Sequence, residues 1–396
     1  MSHIPEISLP PYALACLDAL ETNGVETWFD GGFVRNSLAQ RRPGHITLLA
    51  DATRKRIADA LSEKGIPFQQ KERNPLVTTA LFSEGRVDIS PLHVVTSRTR
   101  TGAASSVEAT HDIESDLTRR DFTINALAWH PERGLVDPYQ GARDLRRGII
   151  RSVGDANRLM TEEPLCSLRA LRFASTMGFK IEANTRAAVA GASKNLTSMD
   201  IARVRHQLEK LLCGTFVREA LLSHVDELGG VLPELIPMKG FDQCSRFHCF
   251  DVLEHTASVV SNSRAVPFNR WAALLHDAGK PDTFQLDQWG RGHMPGHPAA
   301  SIRHLHSVAN RLGFDGDLTH KLELVIRHHD DRPAATEEDV RRLYDNLEHN
   351  DRLFRAICDL MRADSVSKAE FCQMERIVIT NDVESLFDRM KSEGRI

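Results

Sequence analysis

The chain has 396 residues, of which 41% are hydrophobic and 26% charged, with a formal net charge of −4. That length implies two or three domains, and the composition excludes the disordered and fibrous classes. No apolar run approaches the roughly 20 residues of a membrane span, and no basic-then-apolar leader opens the chain. Seven scattered cysteines without a Cys-x-x-Cys pair argue against a disulfide framework or a cysteine zinc site. A reduced, cytoplasmic protein is expected, and any nucleic-acid contact must come from local basic patches.

Leu14, Leu17 and Leu20 have helical spacing, predicting a first helix over 12–24. A short strand follows at Glu26-Thr-Trp-Phe-Asp30, then Gly31-Gly32 and a helix from Phe33. Strand, paired glycines and helix form an arrangement that can cradle phosphate, because the backbone can approach closely and a helix start offers free N–H groups. A second strand is read at His45–Ala50, with Asp51 capping the next helix. Two further strands, 76–82 and 86–92, are joined by a hairpin turn beginning Ser83-Glu-Gly. Residues 97–116 are polar and read as a mobile loop. From about 130 to 225 the pattern turns helical, with Leu165, Leu168 and Leu171 beside Arg169 and Arg172. Past Pro233 and Pro237 the chain is expected to be all helical, and no internal repeat is visible.

Histidine is concentrated: ten of the eighteen lie between His248 and His329. His248 and His255 are two helical turns apart. An apolar stretch from Trp271 ends in His276-Asp277-Ala-Gly-Lys280, followed by Gly296-His297 and His328-His329-Asp330. Several elements each offering an imidazole, with a carboxylate able to bridge, meet the needs of a divalent-metal site. These residues resemble the HD superfamily of metal-dependent phosphohydrolases. The resemblance implies that His255, His276, Asp277 and His297 hold metal, with His329 a further ligand. It implies a catalytic role for His276, Asp277 and Lys280, the lysine facing the phosphate. Manganese, nickel, magnesium, zinc and iron all remain open as the divalent ion.

Other blocks resemble the bacterial tRNA nucleotidyltransferases (CCA-adding enzymes) and poly(A) polymerases. They are Gly31-Gly-Phe-Val-Arg35, Leu117-Thr-Arg-Arg-Asp-Phe-Thr-Ile-Asn125, Asp137-Pro-Tyr-Gln-Gly-Ala-Arg-Asp-Leu145, Ile150-Arg-Ser-Val-Gly-Asp155 and Glu162-Glu-Pro-Leu-Cys-Ser-Leu-Arg-Ala-Leu-Arg-Phe173. The resemblance implies a cleft for triphosphate and an RNA 3′ end, drawing on Gly31, Gly32, Arg35, Arg120, Asp121, Asn125, Arg169 and Arg172. Arg119 belongs to the same group.

The chemistry-bearing positions depart from that family. Its Asp-x-Asp pair, which holds magnesium, reads His45-Ile46-Thr47 here, and neither His45 nor Thr47 supplies the anionic oxygen that magnesium requires. Asn36 stands where the family has Asp, and Asp88 alone keeps a third carboxylate position. The base-reading pattern has Glu163 and Cys166 where the family has Asp and Arg, so guanidinium readout is lost. A later Glu-Arg pair reads Ala202-Arg203.

The expected fold is an α/β nucleotidyltransferase-like domain with a mixed sheet (1–130), an all-α neck (131–225) and an all-α HD domain (226–396). The expected function is phosphoester hydrolysis by the HD domain, on RNA 3′ ends, 2′,3′-cyclic phosphates or nucleotides, beside a degenerate transferase site. Two alternatives stay open: a still-active CCA-adding or poly(A)-type transferase using magnesium and Asp88, with Asp51 or Asp121, and a non-catalytic RNA- or nucleotide-binding regulator. Expected partners are RNA, in particular a tRNA acceptor end, and nucleotides, with no membrane.

Overall fold

The computed structural model describes residues 7–42, 44–70, 76–99, 104–193, 196 and 199–396. They divide into two compact units, one of residues up to 166 with 179–188, the other of 167–178 with 189–396.

The first unit opens with helix α1 (Pro11–Glu21), strand β1 (Thr27–Asp30) and helix α2 (Gly31–Leu38), then β2 (Ile46–Ala50), α3 (Arg54–Glu63), β3 (Phe68–Gln70), β4 (Thr78–Leu81) and β5 (Arg86–Pro91). β6 (His93–Arg98), β7 (Ala104–Ala109), α4 (Ile113–Leu117), β8 (Ala128–His130) and β9 (Gly134–Val136) follow. Seven strands form one mixed sheet in the order β3-β4-β5-β2-β1-β8-β9. β2 and β5 pair in parallel and the other neighbours antiparallel. Leu17 and Leu20 of α1 and Ile57 and Leu61 of α3 join Phe29, Phe33, Val87 and Ile89 in the core, the amphipathic helices burying one stripe each on the sheet. The remaining elements are α5 (Gly141–Arg147), β10 (Ile149–Ile150), α6 (Ala156–Glu162), α7 (Leu165–Met177), β11 (Lys180–Ile181) and α8 (Ala183–Ala192), and the division between units runs through α7 and α8.

Three readings of this half are corrected. Leu14 is 45% exposed, so α1 buries Ala13, Cys16, Leu17, Ala19 and Leu20 instead. Thr53, not Asp51, caps α3, its side chain accepting from the Arg56 N–H, while Asp51 meets His111 at 2.6 Å. Residues 97–116 are not simply a loop: β6 and β7 form an antiparallel hairpin with register shifts, and Asp112 caps α4 through the N–H groups of Glu114 and Ser115. Residues 100–103 lie outside the described residues.

The blocks that carry the family resemblance are held by polar locks. The Asp137 carboxylate accepts from the N–H groups of Gly141 (2.6 Å) and Ala142 (3.0 Å) at the start of α5. Gly141 is required because a Cβ there would stand 2.0 Å from the carbonyl oxygen of Thr123. Asp144 accepts from the Thr123 hydroxyl at 2.8 Å and from Arg151 Nε at 3.0 Å.

The second unit is helical: α9 (Ile201–Leu212), α10 (Val217–Ser223), α11 (Val225–Leu228), α12 (Val252–Asn262), α13 (Pro267–Leu275), α14 (Lys280–Thr283), α15 (His297–Leu312), α16 (Gly316–His328), α17 (Glu337–Asn346), α18 (Asp351–Val366) and α19 (Gln373–Ser392). One exception corrects the all-helical reading: β12 (Gln285–Leu286) and β13 (Gly292–His293) make a short antiparallel hairpin. Trp271 of α13 is buried, and Phe354 of α18 stacks on Phe387 of α19 at 3.9 Å. A capping box of Asp251 and Glu254 fixes the start of α12, and Pro267 starts α13 where its missing N–H costs nothing. No helix among the described residues is long and apolar enough to cross a membrane.

Candidate metal centre and the cleft of the first unit

In the second unit four imidazoles meet two carboxylates. His255 comes from α12, His276 and Asp277 follow α13, His297 begins α15, His329 follows α16 and Asp364 lies near the end of α18. His255, His276 and Asp277 are at most 2% exposed, and His297 and His329 each 8%. Each imidazole has Nδ1 against a backbone carbonyl: His255 with Ser367 at 3.1 Å, His276 with Ala273 at 2.8 Å, His297 with Met294 at 3.1 Å and His329 with Ile326 at 2.7 Å. A carbonyl there keeps the proton on Nδ1, which leaves every Nε2 lone pair directed into the cluster. Two of these bonds, at His276 and His329, reach back three residues into the preceding helix, so the helix end itself sets the ring.

The Nε2 atoms converge on the carboxylates. Asp277 Oδ2 lies 3.1 Å from His276 and 3.3 Å from His255, while Oδ1 lies 3.3 Å from His297 and 3.6 Å from His329. Asp364 Oδ1 is 3.1 Å from His255. Despite these separations, Nε2 of His255 and of His276 makes no hydrogen bond. They are near the oxygens without pointing at them. Ligand atoms that share an ion at 2.0–2.2 Å stand roughly 2.9–3.6 Å apart, so these spacings fit edges of a coordination shell. The Nε2 atoms of His297 and His329, 3.2 Å apart, fit the same description. A divalent cation therefore suits the donor set, and imidazole with carboxylate suits zinc, iron, nickel or manganese better than calcium. The ligand atoms of His255, His276 and Asp364 lie close enough to share an ion, as do those of His276, Asp277 and His329. Asp277 presents Oδ2 to His255 and His276 and Oδ1 to His297 and His329, so it would be among the residues holding a bound ion.

The electrostatics follow from burial among unlike charges. Burial opposes ionisation of Asp277, yet His276, Lys280 and His255 hold its carboxyl well below the usual range. Asp364 is likewise held low, against burial, by Lys368 and His255. Burial disfavours charge on His255, but Asp277 and Asp364 raise its pKa overall. His329 is raised against burial by Asp277, whereas burial keeps His276 below its ordinary value. His248, whose ring stands perpendicular to that of His255 at 5.0 Å, is pushed down to about 3 by burial, with Lys280 adding to the effect.

Lys280 donates to Asp277 Oδ2 at 2.6 Å and to Gln243 Oε1 at 2.9 Å and is buried. It also borders a cavity of about 280 Å³ over Asp277, His297 and His329. Asp364, which pairs with Lys368, was missed in the sequence. Its signal was a carboxylate in Met361-Arg-Ala-Asp-Ser, on the face of an amphipathic helix that buries Ile357, Leu360 and Met361.

In the first unit Gly31, Gly32 and Arg120 line a cleft of about 340 Å³ with Asp30, Thr47, Ser90, His93 and Arg119. Gly31 has φ +57°, a conformation that favours glycine. Arg120 pairs with Asp30 and with Asp116 (3.4 Å), and Arg119 with Asp116 at 3.0 Å. Arg35, Asp121 and Asn125 form a network instead: Arg35 donates to Asn125 and Asn36, and Asn125 donates to Asp121 at 2.8 Å. Arg169 and Arg172 fall in the second unit. There they depress the pKa of Lys210, after burial, and Arg172 lies over the Phe173 ring at 4.3 Å.

The carboxylate of Asp88, on the strand beside Thr47, is already engaged. Parallel pairing sets Thr47 beside Asp88. His45 Nε2 contacts Asp88 Oδ2 at 2.6 Å, and the Thr79 hydroxyl donates to Oδ1 at 2.6 Å. Thr47 donates to the Asp30 carbonyl at 3.1 Å. Cys166 is fully buried.

Residues 27–151 match the poly A polymerase head domain, and residues 248–369 match the HD domain. The A-adding tRNA nucleotidyltransferase of Deinococcus radiodurans is 33% identical over 64% of this chain and 60% of its own length. The CCA-adding enzyme of Geobacillus thermodenitrificans is 32% identical over 68% and 64%. The matches thus span somewhat less than two thirds of these curated relatives. Among solved structures, the Bacillus stearothermophilus CCA-adding enzyme in complex with CTP aligns with a TM-score of 0.70 at 19% identity, over 97% of this chain and 84% of that one. The Thermotoga maritima CCA-adding enzyme complexed with tRNA aligns with a TM-score of 0.61 at 19% identity, over 96% and 83%. At that identity the likeness shows the fold.

Proposed function

From a chain that belongs to the tRNA nucleotidyltransferase and poly(A) polymerase family and carries an HD domain, we propose that the HD domain hydrolyses phosphoesters while the head domain no longer transfers nucleotides. Residues 226–396 are the hydrolase, 1–130 the transferase-like head, and 131–225 a neck that presents RNA, in particular a tRNA acceptor end. The substrates are RNA 3′ ends, 2′,3′-cyclic phosphates or nucleotides.

One contrast supports this reading above others. Four imidazoles with locked tautomers face Asp277 and Asp364 in one unit, whereas His45 and Thr79 consume the carboxylate of Asp88 in the other. A bound divalent ion would lower the pKa of a water molecule and polarise the phosphoryl oxygens. His255, His276, His297, His329, Asp277 and Asp364 would hold it. In the overall reaction the water oxygen bonds to phosphorus, the ester P–O bond breaks, and a proton passes to the leaving alcohol. Lys280 and Lys368 balance the buried carboxylates and border the cavity, where they favour an anionic substrate.

The test is metal analysis of the purified full chain together with turnover of a phosphoester panel in the presence of manganese, nickel, magnesium, zinc or iron. His276→Ala and Asp277→Ala are expected to abolish metal-dependent hydrolysis. Equal turnover by the wild type and both variants rejects the site.

A further inference from the structure

The cavity over the candidate metal ligands does not end there. A second one, of about 300 Å³, shares with it a wall that includes His248, His329, Arg332, Asp364 and Lys368. The two are lobes of one concavity, and their linings differ in kind. The first is bounded by Asp277, Lys280, His293 and His297. The second is bounded by Phe247, Pro333 and Met361, with Glu375 and Arg376 at the side.

We propose that this second lobe is a nucleobase subsite, with Phe247 as its stacking face, so that the HD domain selects phosphoesters that carry a base. The proposal rests on the hydrolase reading above and adds the residue that would recognise the base of such substrates.

Phe247 is 44% exposed, so its ring is open to solvent. Its position is nonetheless fixed. Its carbonyl accepts from the Ala369 N–H at 3.0 Å, its ring lies 6.0 Å from that of Phe371, and the Arg246 guanidinium stands 4.9 Å from its centroid. A held, accessible aromatic ring is what base stacking uses, because every base presents a π face. Base edges need hydrogen-bonding groups of both kinds. The Arg376 side chain supplies donors and Glu375 acceptors. Ser365 and Thr380 have committed their hydroxyl protons to the carbonyls of Met361 and Arg376, so their oxygens remain as acceptors. Lys368 and Arg332 lie on the shared wall, between the stacking face and the metal ligands. A base in the second lobe would therefore leave its phosphate beside cations and within the first lobe. A simple sugar phosphate has no flat ring for Phe247.

The experiment uses the full chain and the adenosine 2′-, 3′- and 5′-monophosphates, with ribose 5-phosphate as the probe without a base. Binding is measured by calorimetry and, with manganese present, turnover is measured in parallel. Phe247→Ala is expected to weaken adenosine monophosphate binding roughly tenfold, through KM rather than kcat. The loss for ribose 5-phosphate should be at least fivefold smaller, and Phe247→Trp should restore the preference. Phe247 is half exposed, so circular dichroism should show both variants folded. Equal losses for both probes, or wild-type binding that does not distinguish them, overturn the base subsite while leaving hydrolysis intact. Base-dependent binding that Phe247→Ala removes, without turnover under any metal, sustains the subsite and defeats the hydrolase reading.

Discussion

Replacing Asp277 by Asn and replacing Lys280 by Met both break the same buried pair, but metal should separate their consequences. Asp277 Oδ2 holds the Lys280 ammonium at 2.6 Å, with His255 and His276 at 3.3 and 3.1 Å. Asp277→Asn leaves a buried ammonium facing an amide, with Gln243 accepting from it at 2.9 Å. Removing one member of such a pair costs about 3–5 kcal/mol, or roughly 6–20 °C in melting temperature for a unit of this size. Lys280→Met leaves a buried carboxylate and costs a similar amount without metal. Manganese at about 100 times its dissociation constant stabilises the wild type by about 2.7 kcal/mol. In Lys280→Met the ion also supplies the lost positive charge, so the metal increment should exceed that of the wild type. In Asp277→Asn it should vanish with the carboxylate. Differential scanning calorimetry with chelator and with manganese reads all six states. An Asp277→Asn variant that keeps the wild-type increment, or a Lys280→Met increment no larger than wild type, refutes the assignment of Asp277 as the central ligand.

The raised pKa values of His255 and His329 fix a pH dependence. A histidine whose folded pKa exceeds its unfolded value contributes stability below the unfolded value of 6.5 and loses it as pH rises through the folded one. Metal competes for the same nitrogens, so manganese affinity should climb from about pH 6 to 8 while the metal-free protein loses this stabilisation. Calorimetric titration giving one affinity across that range contradicts the ligand set. Gly141→Ala should destabilise the first unit by about 3 kcal/mol, measured by denaturant unfolding, because its Cβ meets the Thr123 carbonyl rather than a flexible side chain. tRNA lacking its 3′ end, incubated with CTP, ATP and magnesium, should not be extended. Extension that Asp88→Ala removes would overturn the loss of transfer.

The sequence discloses the candidate metal centre because its signals are local. His276-Asp277 sits at the end of an apolar helix, and His255, His297 and His329 stand out against their neighbours. Asp364 does not, since one acidic residue in an amphipathic helix such as α18 reads as a solvated position until α12 is seen packed against it. The β6–β7 hairpin was hidden for a related reason. Ser97, Ser105 and Ser106 make the strands polar, and the alternation that marks a strand depends on a buried face. The Gly-Gly turn and its arginines were legible as residues. Their partition between a cleft wall and a network behind it is set by long-range pairings such as Arg35 with Asn125.

The contact between His45 and Asp88 also bears on what a single substitution could restore. A lone His45→Asp change would set two carboxylates side by side where one imidazole now stands, and like charges repel. A lone Thr47→Asp change would leave Asp88 still held by His45 and Thr79. On the proposed reading, neither single replacement returns the Asp-x-Asp pair of the resembled family, which needs acidic residues at both position 45 and position 47.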